Sequence, residues 1–432
     1  MARIGWAGCG KLGLPTAVAI ATNRGDWLPQ HRVMCYDADP KKMRKRQYEH
    51  KEAGYGTKSF QQLFDEANLE FAPLDKIVRE CKTIFIAVQT PHEPKFDGTY
   101  LLPAKNDEPL ADFDYRWLEN SVRQVVAEVN KLDSDFEDCN RTLAIISTVL
   151  PGTIRRQILP LLSKRIQIVY NPFFAAMGTC IQNFLEPEFV LLGSEDPKKW
   201  NPLVEFYAKF LPNAAVKHVS IESAELTKMA YNSMISAKIC LANTWGEIAH
   251  KTPGCDVDEV SDALSCATNR LWSPRYSRAG LGDGGPCHAR DLVALSWLGQ
   301  EKTLSFNLFA ALAVCREEQT KWLADVVEEV SEHHQLPVVI LGTAFKPETN
   351  LVDGSCAILL QRILKERGVE AICHDPRIDM VRFFDNPSLF FIGCKHQEFA
   401  SWKFRAGDVV IDPHRFIPDQ EGVKVIRLGV GI

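Results

Sequence analysis

The chain has 432 residues, of which 46% are hydrophobic and 24% are charged, and its formal net charge is −5. This length predicts two or three domains, and the composition is typical of a soluble globular protein. The mild acidity, without a stripe of basic and aromatic residues, argues against a nucleic-acid-binding protein. No apolar run approaches the roughly 20 residues needed to cross a bilayer, so we expect no membrane partner.

The cysteine content and the first residues indicate the compartment. Thirteen cysteines are scattered along the sequence without a Cys-x-x-Cys pair. Such a set is typical of free thiols in a reducing compartment, and not of a disulfide framework or a zinc site. The first residues run directly into an apolar segment and lack the pattern of a secretory signal peptide. We therefore expect a cytoplasmic protein without a metal ion.

The first half of the chain alternates short apolar runs with helical patterns. Its predicted elements are the strands Arg3 to Ala7, Arg32 to Tyr36, Thr83 to Val88 and Leu143 to Thr148, and the helices Leu14 to Ala21 and Trp117 to Leu132. Near-continuous apolar strands are buried on both faces, and their alternation with helices predicts a doubly wound parallel sheet. The polar, aperiodic stretch from Pro91 to Asp114 is interpreted as a long loop.

The second half begins with an uninterrupted helical pattern from Ser223 to His250, longer than most globular helices. More helix follows over about Leu304 to His333, and then a second αβ set: Val338 to Leu341, Ala357 to Arg367, Glu370 to His374 and Asp408 to Asp412. The pattern predicts an α/β protein with two doubly wound, Rossmann-like domains joined by a long central helix. That helix is also a candidate dimer surface.

A glycine-rich turn follows the first strand. It reads Gly8-x-Gly10-x-x-Gly13, with Lys11 and Leu12 between the second and third glycines. The first glycine allows a tight turn, the second lets a pyrophosphate approach, and the third lets the helix pack against the strand. The phosphates would bind at the helix N-terminus. The alternative is a purely structural turn between strand and helix.

Asp37 ends the second predicted strand, 24 residues after Gly13, and so lies where dinucleotide-binding folds carry an acidic residue. A carboxylate there accepts hydrogen bonds from the ribose hydroxyls and repels a 2′-phosphate, which favours NAD over NADP. Thr90 and Thr148 follow two further strands at the edge of the sheet where ligands bind. Their hydroxyls are candidates for contact with the cofactor or with a water, although such residues are also common in turns and caps.

Two polar groups lie on one face of the long helix. Lys228 and Asn232 are four residues apart, so they are neighbours on a helix surface. A lysine beside an amide can stabilise a developing oxyanion or orient a water. A solvated surface pair is the alternative for these two residues alone.

Cys287 follows the glycine-rich segment that starts at Gly280, and Asp291 follows it by four residues. Positive neighbours and a helix that starts at this point would lower the pKa of the thiol, and a thiolate can trap an aldehyde covalently. Because the chain has twelve other cysteines, a buried, inert thiol is the alternative.

These motifs together resemble the UDP-glucose/GDP-mannose dehydrogenase family, whose members oxidise the C6 alcohol of a nucleotide sugar to a carboxylate in two NAD-dependent steps. The resemblance covers essentially the whole chain. In order, the similar segments are Ile4 to Gly13, Phe85 to Pro91, Ser147 to Thr153, Ala224 to Asn232, Gly282 to Asp291, and Leu341 to Pro347 followed by Asp375-Pro376.

The resemblance implies a role for each motif. Cys287 would attack the C6 aldehyde to give a thiohemiacetal and then a thioester, while Lys228 and Asn232 would stabilise the oxyanions. Asp291, with Thr148, would hold the water that acts as base and as hydrolytic nucleophile. The cofactor NAD would be bound by Gly8, Gly10, Lys11, Leu12, Gly13, Asp37, Thr90 and Thr148, and the nucleotide sugar by Lys228, Asn232, Gly284, Phe345 and Lys346.

The resemblance also implies the domain division and the assembly. We expect an NAD-binding Rossmann domain over 1–217, a central helical region with the cysteine loop over 218–334, and a UDP-sugar-binding Rossmann-like domain over 335–432. The family dimerises through its long central helix, so we expect a homodimer through residues 223–250.

The chain departs from the family pattern at the sugar end. Phe173 and Met177 stand where the family has two acids, the first of which is associated with thioester hydrolysis or proton transfer. Glu186 and Glu188 are nearby in sequence and are candidate substitutes. Asp353 stands in place of an arginine, an exchange that would reverse the charge near bound phosphates.

Two further departures lie in the cysteine loop, where Asp283 replaces an aromatic residue and Arg290 replaces a lysine. The departures leave two alternatives to a uronate-forming dehydrogenase. One is a single oxidation that releases an aldehyde or ketone and needs no thiol. The other is a non-catalytic protein that binds a nucleotide sugar as a sensor or partner subunit, which would have no chemical reason to retain Cys287, Lys228, Asn232 and Asp291 together.

Overall fold

A computed structural model describes residues 3–22, 32–43, 52–91, 111–132, 140–176, 178–199, 201–273, 279–285, 288–347, 349–379, 384 and 386–430. The chain forms two compact units, Met1–Ile235 and Ser236–Ile432. The boundary between them falls inside the long helix. The finer division at 217/218 and 334/335 stays a prediction.

The described strands of the first unit form one sheet in the order β3-β2-β1-β4-β5-β6-β7-β8. They are β1 Arg3–Ala7, β2 Arg32–Tyr36, β3 Leu69–Phe71, β4 Thr83–Ile86, β5 Arg141–Ile145, β6 Ile166–Tyr170, β7 Val190–Ser194 and β8 Val216–Ser220. The strands predicted to begin at Thr83 and Leu143 end earlier than expected, at Ile86 and Ile145. The residues that follow them therefore belong to loops. Strand order reverses between β1 and β4, which is the point where open α/β sheets bind ligands.

Two strands of this sheet, β7 and β8, depart from the expected parallel arrangement, since β8 pairs in parallel with β7. Strands β1 to β6 pair in parallel, but β7 runs antiparallel to β6, with Tyr170 opposite Gly193. The connection from β6 to β7 has 19 residues and includes α5, so its length would also allow a parallel crossover and does not by itself explain the reversal.

Helices cover both faces of the sheet, as the apolar strands predict. Those of the first unit are α1 Gly13–Ala21, α2 Phe60–Glu66, α3 Leu74–Glu80, α4 Arg116–Asn130, α5 Cys180–Leu185 and α6 Pro202–Phe210. One core cluster joins the sheet to α1, α2, α5 and α6, and another joins it to α3 and α4. Helix α4 shows the underlying pattern: its buried residues Leu118, Val122, Val125 and Val129 recur at helical spacing.

The long helix α7 spans Ile221–His250 and confirms the helical pattern predicted there. It is followed by α8 Val257–Ser265, α9 His288–Glu301 and α10 Leu308–His334. The helix expected from about Leu304 begins at Leu308 instead, because the side chain of Asn307 accepts a hydrogen bond from the Ala310 amide at 3.1 Å and caps it.

The described strands of the second unit form a parallel sheet in the order β10-β9-β11-β12-β13. They are β9 Val338–Leu341, β10 Ala371–His374, β11 Leu389–Ile392, β12 Val409–Asp412 and β13 Lys424–Arg427, and its helices are α11 Cys356–Glu366 and α12 Gln397–Ser401. One face packs against α10 and α11, and the other packs against Phe399 of α12 and its neighbours. Two doubly wound α/β units confirm the predicted fold class.

Candidate active site

The glycine-rich turn has the geometry that its sequence predicts. Gly8 has φ +102°, and a side chain on it would place Cβ 2.5 Å from the carbonyl oxygen of Ala87. A Cβ on Gly13 would lie 2.1 Å from the Gly8 carbonyl oxygen, so the start of α1 packs directly on the turn. No described atom lies within 4 Å of the Cβ position of Gly10. This position is therefore open for the close approach of a ligand.

Asp37 fixes the same turn from the end of β2. Its Oδ2 accepts a hydrogen bond of 2.7 Å from the Cys9 amide, and its Oδ1 accepts one of 2.9 Å from the Asp39 amide. A carboxylate can accept about four hydrogen bonds, so these two leave acceptor capacity for ribose hydroxyls. Asp37 thus has a structural role in the turn beside the ligand-binding role predicted for it.

A cavity of about 340 Å³ opens at the point where the strand order reverses. Its lining combines the turn, the ends of β2 and β4, and one face of α4: Ala7, Gly8, Gly10, Tyr36, Asp37, Ala38, Asp39, Lys42, Leu74, Ala87, Val88, Gln89, Trp117, Ser121, Gln124 and Val125. Its position, its apolar walls and the carboxylate at its rim fit the adenosine half of a dinucleotide. Lys11 and Leu12 of the turn lie outside this lining.

Thr90 and Thr148 are brought together by the loops after β4 and β5. The hydroxyl of Thr90 donates a hydrogen bond of 2.7 Å to the Thr148 carbonyl oxygen. The hydroxyl of Ser147 donates one of 2.6 Å to the Val88 carbonyl oxygen. Side-chain-to-backbone hydrogen bonds therefore link the loops that follow the adjacent strands β4 and β5. Thr148 remains partly exposed.

Glu225 is a buried residue whose role the sequence reasoning missed. Its carboxylate accepts hydrogen bonds from the amides of Gly152 at 2.5 Å and Ile154 at 2.8 Å. These amides belong to the turn that follows Thr148 and to the short π-helix Ile154–Ile158. Burial raises the pKa of Glu225, and the two amides oppose this rise. The only sequence signal was its place beside Lys228 in the helix motif.

Lys228 lies buried three residues further along α7. Its ammonium group donates a hydrogen bond of 2.8 Å to the Phe173 carbonyl oxygen and lies 5.0 Å from the ring centroid of Phe174. Burial lowers its pKa. The alternative of a solvated surface lysine is therefore wrong for this residue. Asn232, one turn further along the same face, is exposed.

The position where the family pattern has its first acid is occupied by an aromatic cluster. The Phe173 ring packs 5.1 Å from that of Phe184, and the Phe174 ring packs 4.6 Å from those of Phe189 and Tyr231. Both glutamates considered as substitutes for the missing acid already accept a hydrogen bond from a tyrosine. Glu186 accepts one of 2.9 Å from the Tyr55 hydroxyl. Glu188 accepts one of 3.4 Å from the Tyr231 hydroxyl.

In the second unit, Asp291 lies in the first turn of α9 and pairs with Arg290, whose Nε is 2.9 Å from its Oδ1. Asp291, Asp283 and His288 line a cavity of about 490 Å³ between α9 and α10. Cys287 and Met177 lie outside the described residues, so their predicted roles stay predictions.

The loop that leads to Cys287 packs closely on the loop after β9. A Cβ on Gly284 would lie 3.1 Å from the Phe345 Cβ, and a Cβ on Gly285, at φ +96°, would lie 3.0 Å from the Phe345 ring. The ammonium group of Lys346 lies 5.4 Å from the same ring's centroid. Gly284, Phe345 and Lys346, predicted separately as nucleotide-sugar contacts, therefore lie together in this unit.

Two buried aspartates organise the carboxyl ends of the second sheet. Asp375 accepts hydrogen bonds from the amides of Thr343 at 2.7 Å and Ala344 at 2.8 Å, and it lies 3.2 Å from His396 Nε2. Burial opposes ionisation of Asp375, but its backbone donors and His396 hold its pKa below the ordinary value. Asp412 similarly accepts four backbone amides of the loop after β12.

Within the described ranges, no three His, Cys, Asp or Glu side chains form a group suited to a metal ion. The same ranges contain no helix with the length and apolar content needed to cross a membrane. The eleven cysteines that are described are free thiols.

The fold and the first-unit site together define a dinucleotide-binding α/β protein. Comparison with known proteins makes this more specific. Residues 2–211 match the NAD-binding domain of the UDP-glucose/GDP-mannose dehydrogenase family, and residues 222–316 match the central domain of that family. The chain belongs to the UDP-glucose/GDP-mannose dehydrogenase family, and its N-terminal region is an NAD-binding domain.

Individual relatives agree with this assignment. The UDP-glucose 6-dehydrogenase AglM of Haloferax volcanii is 30% identical over 251 residues, 56% of this chain and 58% of the relative's length. The UDP-glucose 6-dehydrogenase of Pseudomonas aeruginosa is 25% identical over 85% of this chain and 78% of its own length. A crystal structure of a ternary complex of GDP-mannose dehydrogenase from Pseudomonas aeruginosa has the same fold, with a TM-score of 0.82, 22% identity and coverage of 98% and 99% of the two chains.

Proposed function

We propose that this protein oxidises the C6 alcohol of a UDP-glucose-like nucleotide sugar to the uronic acid, with NAD as the oxidant. The observation that carries the proposal is the buried ammonium of Lys228, held against the Phe173 carbonyl oxygen in the unit that binds NAD. A buried ammonium group is energetically unfavourable unless a partner stabilises it. Negative charge that develops on the substrate during the reaction would be such a partner, which gives a physical reason for a buried lysine at this position.

Each motif has a defined task in this reaction. NAD, when bound, supplies the hydride acceptor for both oxidations. The thiol of Cys287 adds to the C6 aldehyde to give a thiohemiacetal, whose oxidation gives a thioester. Water then cleaves the carbon–sulfur bond, which releases the carboxylate and regenerates the thiol. Lys228 and Asn232 stabilise the oxyanions of these steps, and Asp291 with Thr148 orients the water.

A second candidate function is a single oxidation of the nucleotide sugar without a thioester. It is favoured by Phe173, whose ring packs against Phe184 and offers no group that takes up a proton at the position of the first acid. In this case Lys228 would still stabilise the alkoxide, but Cys287 would have no chemical task.

The experiment that separates the two functions counts NADH formed per nucleotide sugar consumed, with a panel of UDP- and GDP-hexoses. The uronate-forming reaction gives two NADH per sugar and is abolished by Cys287→Ala. Cys255→Ala is a matched control, because Cys255 is an exposed thiol outside α7. One NADH per sugar, insensitive to Cys287→Ala, would establish the single oxidation instead.

We further propose that the protein acts in the cytoplasm as a homodimer formed through α7. Leu226, Met234 and Ile239 of α7 are 58, 55 and 54% exposed, a large apolar surface for a single helix. Exposed free thiols such as Cys255 and Cys266 are compatible with a reducing compartment.

A further inference from the structure

Arg316 lies on α10, outside the sequence motifs described above, and its side chain is largely buried, with 14% of its surface exposed. Its Nε lies 2.5 Å from Asp283 Oδ1. Its Nη2 donates to the carbonyl oxygens of Asp283 at 3.3 Å and Gly354 at 3.1 Å. One guanidinium therefore binds two loops at once, the cysteine loop Gly280–Gly285 and the nucleotide loop Phe345–Ser355.

The two loops are also packed backbone against backbone at this point. The Gly285 amide donates a hydrogen bond of 3.1 Å to the Asp353 carbonyl oxygen. A Cβ on Gly354, at φ +65°, would lie 2.5 Å from the Gly285 carbonyl oxygen. No side chain fits between the loops, so a shift of one loop displaces the other.

Two departures from the family pattern meet at this junction. Asp283 stands where the family has an aromatic residue, and Asp353 stands where it has an arginine. In this chain the carboxylate of Asp283 pairs with Arg316, and Arg316 also reaches Gly354, the neighbour of Asp353. The guanidinium that binds both loops at this junction is that of Arg316, which comes from α10. Its planar fork suits it to hold a carboxylate and carbonyl oxygens together.

We propose that Arg316 is a positioning residue, which holds the cysteine loop against the nucleotide loop and so sets the orientation of the segment that enters Cys287. This inference rests on the proposed function of Cys287 as the nucleophile. Gly285 is two residues before Cys287, so the junction lies close to the reacting thiol in the sequence. A misplacement of about 1 Å can lower a rate by about a hundredfold.

The test compares Arg316→Gln with Arg367→Gln. Arg367 is a matched control, because it is likewise an arginine paired with carboxylates, those of Asp325 and Glu328 on α10, at 2.7 and 2.9 Å. We expect Arg316→Gln to lower kcat by about a hundredfold. We also expect it to leave the KM for NAD unchanged and to change the rate at which iodoacetamide alkylates Cys287, measured by peptide mass spectrometry with the exposed Cys255 as internal reference. Arg367→Gln should retain both rates.

The proposal is overturned if Arg316→Gln retains the wild-type kcat and alkylation rate, or if Arg367→Gln lowers both to the same extent. If Arg316→Gln does not fold, Asp283→Asn decides in its place, since it keeps the side-chain volume and removes only the charge that Arg316 binds. If the wild-type protein oxidises no sugar, the proposed function fails, and the alkylation rates alone still support or overturn the role of Arg316.

Discussion

The ammonium group of Lys228 donates a hydrogen bond of 2.8 Å to the backbone carbonyl oxygen of Phe173, the residue that stands in place of an expected acid. The Phe174 ring lies beside the same group, 5.0 Å from Nζ to the centroid. The chain thus surrounds its buried lysine with a carbonyl dipole and an aromatic face. Both interact favourably with a cation, but neither contributes a full negative charge.

This environment predicts that activity declines at a lower alkaline pH than it would with a lysine of ordinary pKa. Because burial lowers the pKa of Lys228, the ammonium group loses its proton below the ordinary lysine value of 10.5 as the pH rises. Since the charged form stabilises the oxyanion, we expect kcat to fall on the alkaline side. Lys228→Arg should remove this alkaline decline, because arginine stays charged over the whole range. A pH profile of kcat between pH 7 and about 10.5 measures both effects.

Lys228→Met tests how much Lys228 contributes to kcat by stabilising the oxyanion. Loss of one oxyanion donor costs about 10²–10³ in kcat, and we expect a loss of this size. Lys209→Met is the control, because Lys209 lies on α6, outside the site and α7, and forms an exposed pair with Glu205. A kcat close to that of the wild type in Lys228→Met would exclude the oxyanion role.

Asp37 should determine cofactor preference. Asp37→Ala removes the acceptor for ribose hydroxyls and also the acceptor for the Cys9 and Asp39 amides. Because hydrogen bonds to a charged group contribute about 1.5–3 kcal/mol, we expect the KM for NAD to rise by about 10- to 100-fold. The ratio of kcat/KM for NAD over NADP should fall as well, since the repulsion of a 2′-phosphate is removed.

Steady-state kinetics with both cofactors measure this change, with Asp65→Ala on α2 as a control that removes an exposed carboxylate. An unchanged NAD/NADP ratio in Asp37→Ala would show that Asp37 acts only through the turn. Asp37→Asn would then still raise the KM, because its amide has one oxygen and cannot accept from both the Cys9 and the Asp39 amides.

Glu225 should stabilise the fold more than a surface acid does. Glu225→Ala leaves the buried amides of Gly152 and Ile154 without their acceptor, which costs about 1–3 kcal/mol or more. Glu222, three residues earlier, forms an exposed pair with Arg155, and such pairs contribute about 0–1 kcal/mol. Urea unfolding of Glu225→Ala and Glu222→Ala compares the two, and equal losses would contradict the role of Glu225.

The pKa of Glu225 also predicts the direction of a pH effect. Burial raises this pKa above the ordinary value of 4.5, so the folded protein binds the proton more tightly than the unfolded chain does. Relative to Glu225→Gln, the wild type should therefore be most stable below pH 4.5. Its relative stability should decline as the pH rises through the window between 4.5 and the raised pKa. Thermal unfolding of both proteins across this window gives the sign.

The sequence predicted those parts of the fold that depend on local patterns. The strands at Arg3 and Arg32, the turn Gly8–Gly13 and the long helix α7 were all predicted correctly, because apolar runs, glycine spacing and helical periodicity are encoded locally. NAD binding is likewise confirmed. The reversed direction of β7 and β8 was not predicted, because the direction of a strand depends on how the chain returns to the sheet.

The interactions that the sequence could not reveal are those between distant segments. Glu225 and the Gly152 amide are 73 positions apart, and Arg316 and Asp283 are 33 apart. A single buried acid such as Glu225, or a single arginine such as Arg316, produces no periodic pattern in the sequence. Their partners are determined only by how distant segments pack. The same holds for Phe173, whose substitution was visible but whose carbonyl contact with Lys228 was not.

The exposed apolar surface of α7 gives the last prediction. Ile239→Glu places a charge on the surface proposed to bind a second copy, and burial of an unpaired charge is strongly unfavourable. We expect the mass by light scattering to fall from twice the chain mass of 48.6 kDa to the chain mass itself. Leu351→Glu, an exposed leucine outside α7, should leave the mass unchanged. Because Asn232 lies on the same exposed stretch of α7, the monomer should also show a lower kcat. A dimer that persists in Ile239→Glu would show that the copies associate through another surface.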